Sequence, residues 1–265
     1  MVSLGPLTDS VYCTFKCKFC YVNGPYQKYA RRSVGEILDW LNARRDDYDI
    51  IYVSGDTDSF AKPRTHDGLR LLRGMTALKS DVLFTTRHVF SDQEREELKQ
   101  IIASYAAIGK LFIPCISVSQ LSHAALEPAP IASPEARLEQ IKWFHDNGAK
   151  VILTVRPFLP YIPGEEYAEI TRQGAPYSAA VLGGDWYTDL DGTIDELTRG
   201  ALGVEHTKVA GPTVSRQPLD STSDTQDWLI TRHPEAEASV AGAAREAARN
   251  FYMRSSDLIK FLRQT

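Results

Sequence analysis

The chain has 265 residues, 43% hydrophobic and 24% charged, with 34 acidic side chains against 30 Lys+Arg and a net charge of −4. That composition belongs to a globular protein of one large or two small domains, and it excludes disordered, collagen-like and coiled-coil organisation. The acidic balance argues against a nucleic-acid partner, because nucleic-acid binders gather a basic stripe, whereas pairs such as Arg31-Arg32 and Arg44-Arg45 fall on amphipathic segments.

In chain order, a short strand is expected before Cys13. Ser33 then caps a predicted helix, VGEILDWLNARRD, with apolar residues at helical spacing. DIIYVSG reads as a strand ending in Gly. A helical stretch around Gly68–Leu78 leads to the strand DVLFTT. Ser91 caps DQEREELKQIIASYAAIG, with Asp92 and Glu94 well placed in the first turn. The strand LFIPCISVS follows, then a helix opened by Ser133-Pro134 and stopped at Gly148. KVILTVRPF and YSAAVLGG are the next strands. Strands alternating with helices predict βαβ units and a parallel sheet. From Asp185 to His233 the chain is polar and loses this rhythm, and the Ala-rich tail EAEASVAGAAREAARNFYMRSSDLIKFLRQT is helical in pattern. Residues 1–184 and 185–265 are therefore expected to form a β/α unit and an extension packed on or over it.

No run of about 18 apolar residues offers a membrane span, and the first residues lack the basic and apolar regions of a secretion signal. Three of the four cysteines are Cys13, Cys17 and Cys20. They are too few and too clustered for a disulfide scaffold, and a reducing cytoplasm suits them. Thiolates select iron–sulfur clusters, zinc or Cu(I). Structural zinc takes four protein ligands, commonly as two knuckles, and here the second knuckle is missing. Three thiols in one loop fit a [4Fe–4S] cluster with one iron left open. A zinc or incidental thiol loop is the other reading of the residues alone.

Cys13-x3-Cys17-x2-Cys20, with Phe19 before and Tyr21 after the last cysteine, resembles the signature of the radical S-adenosylmethionine (SAM) superfamily. The run Glu127-Pro128, Ser133-Pro134, Arg137-Leu138, Gly148, Pro157 and Ile162-Pro163-Gly164 resembles its spore photoproduct lyase-like and Elongator catalytic subunit-like branch. The resemblance covers residues 10–185 and implies a partial (β/α)6 TIM-type barrel of parallel strands, followed here by a mostly helical C-terminal extension. It implies a [4Fe–4S] cluster on Cys13, Cys17 and Cys20, with SAM on the open iron. Reductive cleavage of SAM would then give a 5′-deoxyadenosyl radical that takes a hydrogen atom from the substrate.

Around that centre, the resemblance makes Tyr21 a cofactor-binding residue beside the cluster and places Ser54, Gly55 and Asp56 where family members hold the methionine amino group. Asp58 is a further acid of that run, and Ser-Gly-Asp replaces the usual Gly-Gly-Glu. Thr86 or Arg87 would meet the methionine carboxylate, and Ser117, Ser119 and Arg137 the carboxylate or ribose. Cys115 is the thiol available to return a hydrogen atom, and Arg156 at a strand end is placed to face substrate. Tyr52, Tyr161, Trp186 and Tyr187 are aromatics suited to shaping that site. The expected substrate is a small molecule such as a nucleoside, sugar, amino acid or natural-product intermediate. The expected electron donor is a flavodoxin or ferredoxin. The same chemistry on a nucleic acid, and a non-catalytic iron–sulfur or zinc protein, are the alternatives.

Overall fold

The computed structural model describes residues 1–4, 13–21, 32–53, 55, 57–205, 213–216 and 227–264. Local signals set the helix starts. Ser33 and Glu36 form a reciprocal capping box on α1 (Val34–Asn42), and Ser91 and Glu94 do the same on α3 (Asp92–Ala107). Such side-chain caps are each worth about 1 kcal/mol. Ser133 caps α4 (Pro134–Asp146), whose first residue is proline. Helix α2 (Thr65–Met75) starts without a side-chain cap, three residues before the predicted helical stretch.

Between these helices lie the strands β1 (Val2–Leu4), β2 (Ile50–Val53), β3 (Asp81–Thr86), β4 (Phe112–Ser117), β5 (Ile152–Val155) and β6 (Ala180–Gly183). Helix α5 (Gly164–Gly174) joins β5 to β6; the sequence reading had no helix there. The later elements are β7 (Trp186–Thr188), α6 (Thr193–Leu202), β8 (Thr213–Arg216), β9 (Asp227–Thr231), α7 (Pro234–Glu246), β10 (Asn250–Tyr252) and α8 (Ser255–Leu262).

The expected parallel partial barrel is present. The strands run β1-β2-β3-β4-β5-β6-β10 in one open sheet, every neighbouring pair parallel. The tail is helical as expected, but it is interrupted. Asn250–Tyr252 is an aromatic, β-prone stretch, and it adds a seventh strand beside β6 rather than continuing α7. The polar stretch before it holds a second sheet, antiparallel, in the order β7-β9-β8.

Period-2 alternation sorts the strand residues onto two faces. Ile51, Val53, Val82, Phe84, Ile116, Leu153 and Val181 pack outward against the helices. Ile50, Tyr52, Leu83, Ile113, Cys115, Ile152 and Leu182 point inward and meet Leu258, Ile259 and Leu262 of α8. Helix α8 thus plugs the concave side of the sheet. Its last turn is fastened low, where Arg263 bonds Asp49 at 3.2 Å and approaches Asp81 at 3.8 Å, both at the starting ends of β2 and β3. Its first turn therefore points toward the ends where the strands finish. Among the described residues, no helix is long and apolar enough to cross a membrane.

Candidate active site

Parallel strands deliver their C-terminal ends, and the loops after them, to one mouth. A cavity of about 1030 Å³ lies there. Cys13, Cys17, Cys20, Tyr21, Gly55, Thr86, Arg87, Ser117 and Arg156 all line it. Ser119, Arg137 and Cys115 do not; they stand behind its wall. Ser54 and Asp56 lie outside the described residues.

The cysteine loop is pinned from several sides. The Lys18 amide donates to the Leu126 carbonyl at 2.9 Å, and the Cys20 amide to the Cys17 carbonyl at 3.2 Å. The C-terminal elements hold it as well. Trp186 Nε1 on β7 donates to the Phe19 carbonyl at 3.2 Å, and Thr198 Oγ1 on α6 to that of Lys18 at 3.3 Å. Tyr21 stacks edge-on against Trp228 of β9, with centroids 5.8 Å apart. No local sequence signal marks these clamps, whose partners lie 167 and 180 residues apart.

Burial raises the Cys13 thiol to about 11, Asp58 adding to this and the backbone N–H groups of Asp58 and Phe15 opposing it. Burial also raises Cys17, and the Arg87 guanidinium opposes it. Arg87 lies over the Phe19 ring, 5.5 Å from its centroid. A positive charge beside a buried sulfur favours thiolate, the form that binds metal.

Asp58 staples the loop after β2 to the end of β3. It accepts from Thr86 Oγ1 at 2.9 Å, the Arg87 amide at 2.7 Å and the Phe60 amide at 2.9 Å. Burial still raises its carboxyl above the usual range. Behind Arg87 sits Glu127, which accepts from Arg87 Nε at 2.8 Å, Gln120 Nε2 at 3.0 Å and both terminal nitrogens of Arg137. Arg137 is wholly buried and also donates to the Ser117 carbonyl at 2.7 Å. It therefore shapes the wall through Glu127 and Ser117. Glu127 carries no predicted role, although it stands in the Glu-Pro pair of the second motif.

On the far side, Arg156 donates to Tyr52 Oη at 3.0 Å and Ser255 Oγ at 3.3 Å. Tyr52 in turn bonds Thr85 Oγ1 at 3.0 Å. Ser119 links the two sides: its hydroxyl donates to the Arg156 carbonyl at 2.7 Å and accepts from Arg87 at 3.1 Å. Cys115 is buried beneath, its thiol pushed up to about 12 by burial against the pull of Arg156.

The model of the radical SAM superfamily matches residues 7–173. The chain belongs to the radical SAM superfamily. Its members are enzymes that work with a [4Fe–4S] cluster and SAM. No curated protein matches the chain. Among solved structures, a single-site mutant of spore photoproduct lyase aligns with TM-score 0.68 at 12% identity, covering 96% of this chain and 82% of its own. Spore photoproduct lyase complexed with dinucleoside spore photoproduct gives 0.64 at 13% identity, covering 92% and 75%. SuiB of Streptococcus suis bound to S-adenosylmethionine gives 0.58 at 15% identity, covering 96% and 50%. The chain thus spans about half the length of that SuiB structure. At these identities the likeness is one of fold.

The residues present fit the radical SAM cofactors. Cys13, Cys17 and Cys20 line one shared cavity, as a cluster with one thiolate per iron requires. Beside them Gly55 presents backbone without a side chain. Thr57, also on the wall, has a buried hydroxyl without a hydrogen-bond partner, an orphan that a ligand polar group would satisfy.

Proposed function

We propose that this chain is a radical SAM enzyme that cleaves SAM reductively and abstracts a hydrogen atom from a small-molecule substrate. One observation carries the reading: all three motif cysteines line the same cavity as Gly55, Thr86, Arg87 and Arg156. Cys13, Cys17 and Cys20 hold the cluster. Gly55, Thr57, Thr86, Arg87 and Ser117 surround SAM. Reduced and with SAM bound, the cluster supplies a 5′-deoxyadenosyl radical.

The chain's own residues do the rest. Glu127 and Ser119 fix the Arg87 guanidinium at the wall, and Trp186 and Thr198 hold the cysteine loop in place. Tyr187, Asp185 and Met253 line the same cavity. The volume favours a small substrate. Small-molecule sites run to roughly 1000 Å³, and this cavity must also hold the cluster and SAM. A flavodoxin or ferredoxin supplies the electron, and a reducing cytoplasm preserves the thiols.

The test is anaerobic reconstitution with iron and sulfide, dithionite reduction, and mass spectrometry for 5′-deoxyadenosine. The expected result is 5′-deoxyadenosine from the native chain and none from Cys17→Ala. A cluster-loaded protein that never cleaves SAM would overturn the reading. Salt-sensitive oligonucleotide binding would move the substrate to nucleic acid.

A further inference from the structure

We propose that the substrate enters with an anionic group, a carboxylate or phosphate, which docks on Arg156 at the first turn of α8. The proposal deepens the functional reading and rests on it.

The charges around the cavity leave this corner uncompensated. Asp58 is taken up by Thr86 and two backbone amides, and Asp185, on the cavity wall, stands 4.0 Å from Arg232 and also faces Arg254, not Arg156. Arg87 is committed to Glu127. Arg156 is half-buried and lines the cavity, yet its guanidinium partners are only two neutral hydroxyls, those of Tyr52 and Ser255. Among the described residues it has no carboxylate. Tyr52 Oη accepts from Arg156 and shares a hydrogen bond with Thr85 Oγ1, and these contacts hold the guanidinium in place. Gly184 packs on the arginine stem: a Cβ there would lie 3.2 Å from Cδ and 3.3 Å from Cβ of Arg156. The group is therefore held in position before any ligand arrives, with unused donor capacity in its planar fork.

The adjoining element adds the same sign. Arg254, Ser255 and Ser256 line the cavity, and Arg254 at the N-cap of α8 makes no side-chain cap bond. The positive end of the helix dipole therefore opens on the same spot. A fixed guanidinium, a second arginine and serine hydroxyls together recognise anionic oxygens. A neutral sugar or a cationic amine would leave Arg156 buried without a counter-charge.

The experiment uses the reconstituted protein with SAM bound. Its melting temperature is followed against sodium phosphate and sodium acetate, with sodium chloride at matched ionic strength. At least one of the two anions is expected to stabilise the native protein saturably. Arg156→Gln is expected to weaken that binding at least about tenfold, the loss of one charge-assisted contact, with Arg156→Lys in between. SAM affinity of Arg156→Gln is expected to stay within about twofold of native. Three results overturn the proposal: no effect beyond chloride, equal anion binding by Arg156→Gln, or a loss of SAM affinity of about tenfold or more. The last would assign the guanidinium to the SAM carboxylate. If Arg156→Gln fails to fold by circular dichroism, Tyr52→Phe takes its place. It removes one hydroxyl and is expected to weaken anion binding about threefold; unchanged binding overturns the proposal. Anion binding needs no turnover, so native protein that forms no 5′-deoxyadenosine would fail the functional reading separately.

Discussion

Glu127 is a carboxylate buried among donors from Arg87, Gln120 and Arg137. Burial pushes its pKa up, but Arg137 and Arg87 outweigh this and hold it below the usual carboxylate range. A depressed folded-state value means stability that is present above the unfolded pKa, about 4.3 for Glu, and lost as pH falls through the folded value. Denaturant midpoints are therefore expected to decline on the acid side of that pH. Glu127→Gln should show a flatter acid limb; an identical slope in both proteins would remove Glu127 from the account. Arg137→Leu leaves Glu127 short of a buried partner and is expected to cost about 3–5 kcal/mol in urea unfolding. A cost under about 1 kcal/mol would mean that the pair is solvated.

At the scale of elements, the legible features were those written in adjacent residues. Capping boxes at Ser33 and Ser91, the Ser133-Pro134 start and the continuous apolar strands each carry their signal within a few positions. The cysteine triplet is equally local, and it opens on the cavity mouth as its spacing implied. What stayed hidden depends on distant partners. The bonds from Trp186 to Phe19 and Thr198 to Lys18 span 167 and 180 residues, and no periodicity announces them. Helix α5 begins at Gly164 after Pro163 with no side-chain cap, so no adjacent residue marks its start. Trp186→Phe keeps the ring but loses the donor to Phe19. It is expected to destabilise the protein by about 1 kcal/mol and to speed iron loss to a chelator. Iron retention equal to native would show that the β7 clamp does not support the loop. Gly68→Ala tests the segment carrying Asp58: its Cβ would lie 2.8 Å from the Phe60 ring and 2.9 Å from the Ser59 carbonyl. The crowding is expected to cost about 1–3 kcal/mol by thermal or urea unfolding.

Across the whole molecule, the extension is part of the structure that makes the cavity. The sequence pattern set residues 185–265 apart, yet β10 pairs with β6 in the main sheet and α8 fills its concave side. The reason lies in the alternation itself. Below the cavity the inward residues of the strands, among them Ile50, Leu83, Ile113, Ile152 and Leu182, are apolar and need a cover, which the strand patterns demand without naming. Leu258, Ile259 and Leu262 supply it, and the same helix lifts Ser255 to Arg156 at the other end. Removing residues 254–265 would expose Ile50, Leu83, Ile113 and Ile152 to water while also taking away the floor of the cavity. The truncated chain is expected to lose a cooperative melt and to bind a hydrophobic dye. Leu258→Ala is the finer probe: it leaves a void of a few methyl groups and is expected to cost about 2–5 kcal/mol. Because Leu258 lies one turn below Ser255, the same variant is expected to weaken anion binding as α8 settles. A variant that loses stability but keeps native anion affinity would show that the plug and the docking corner are independent.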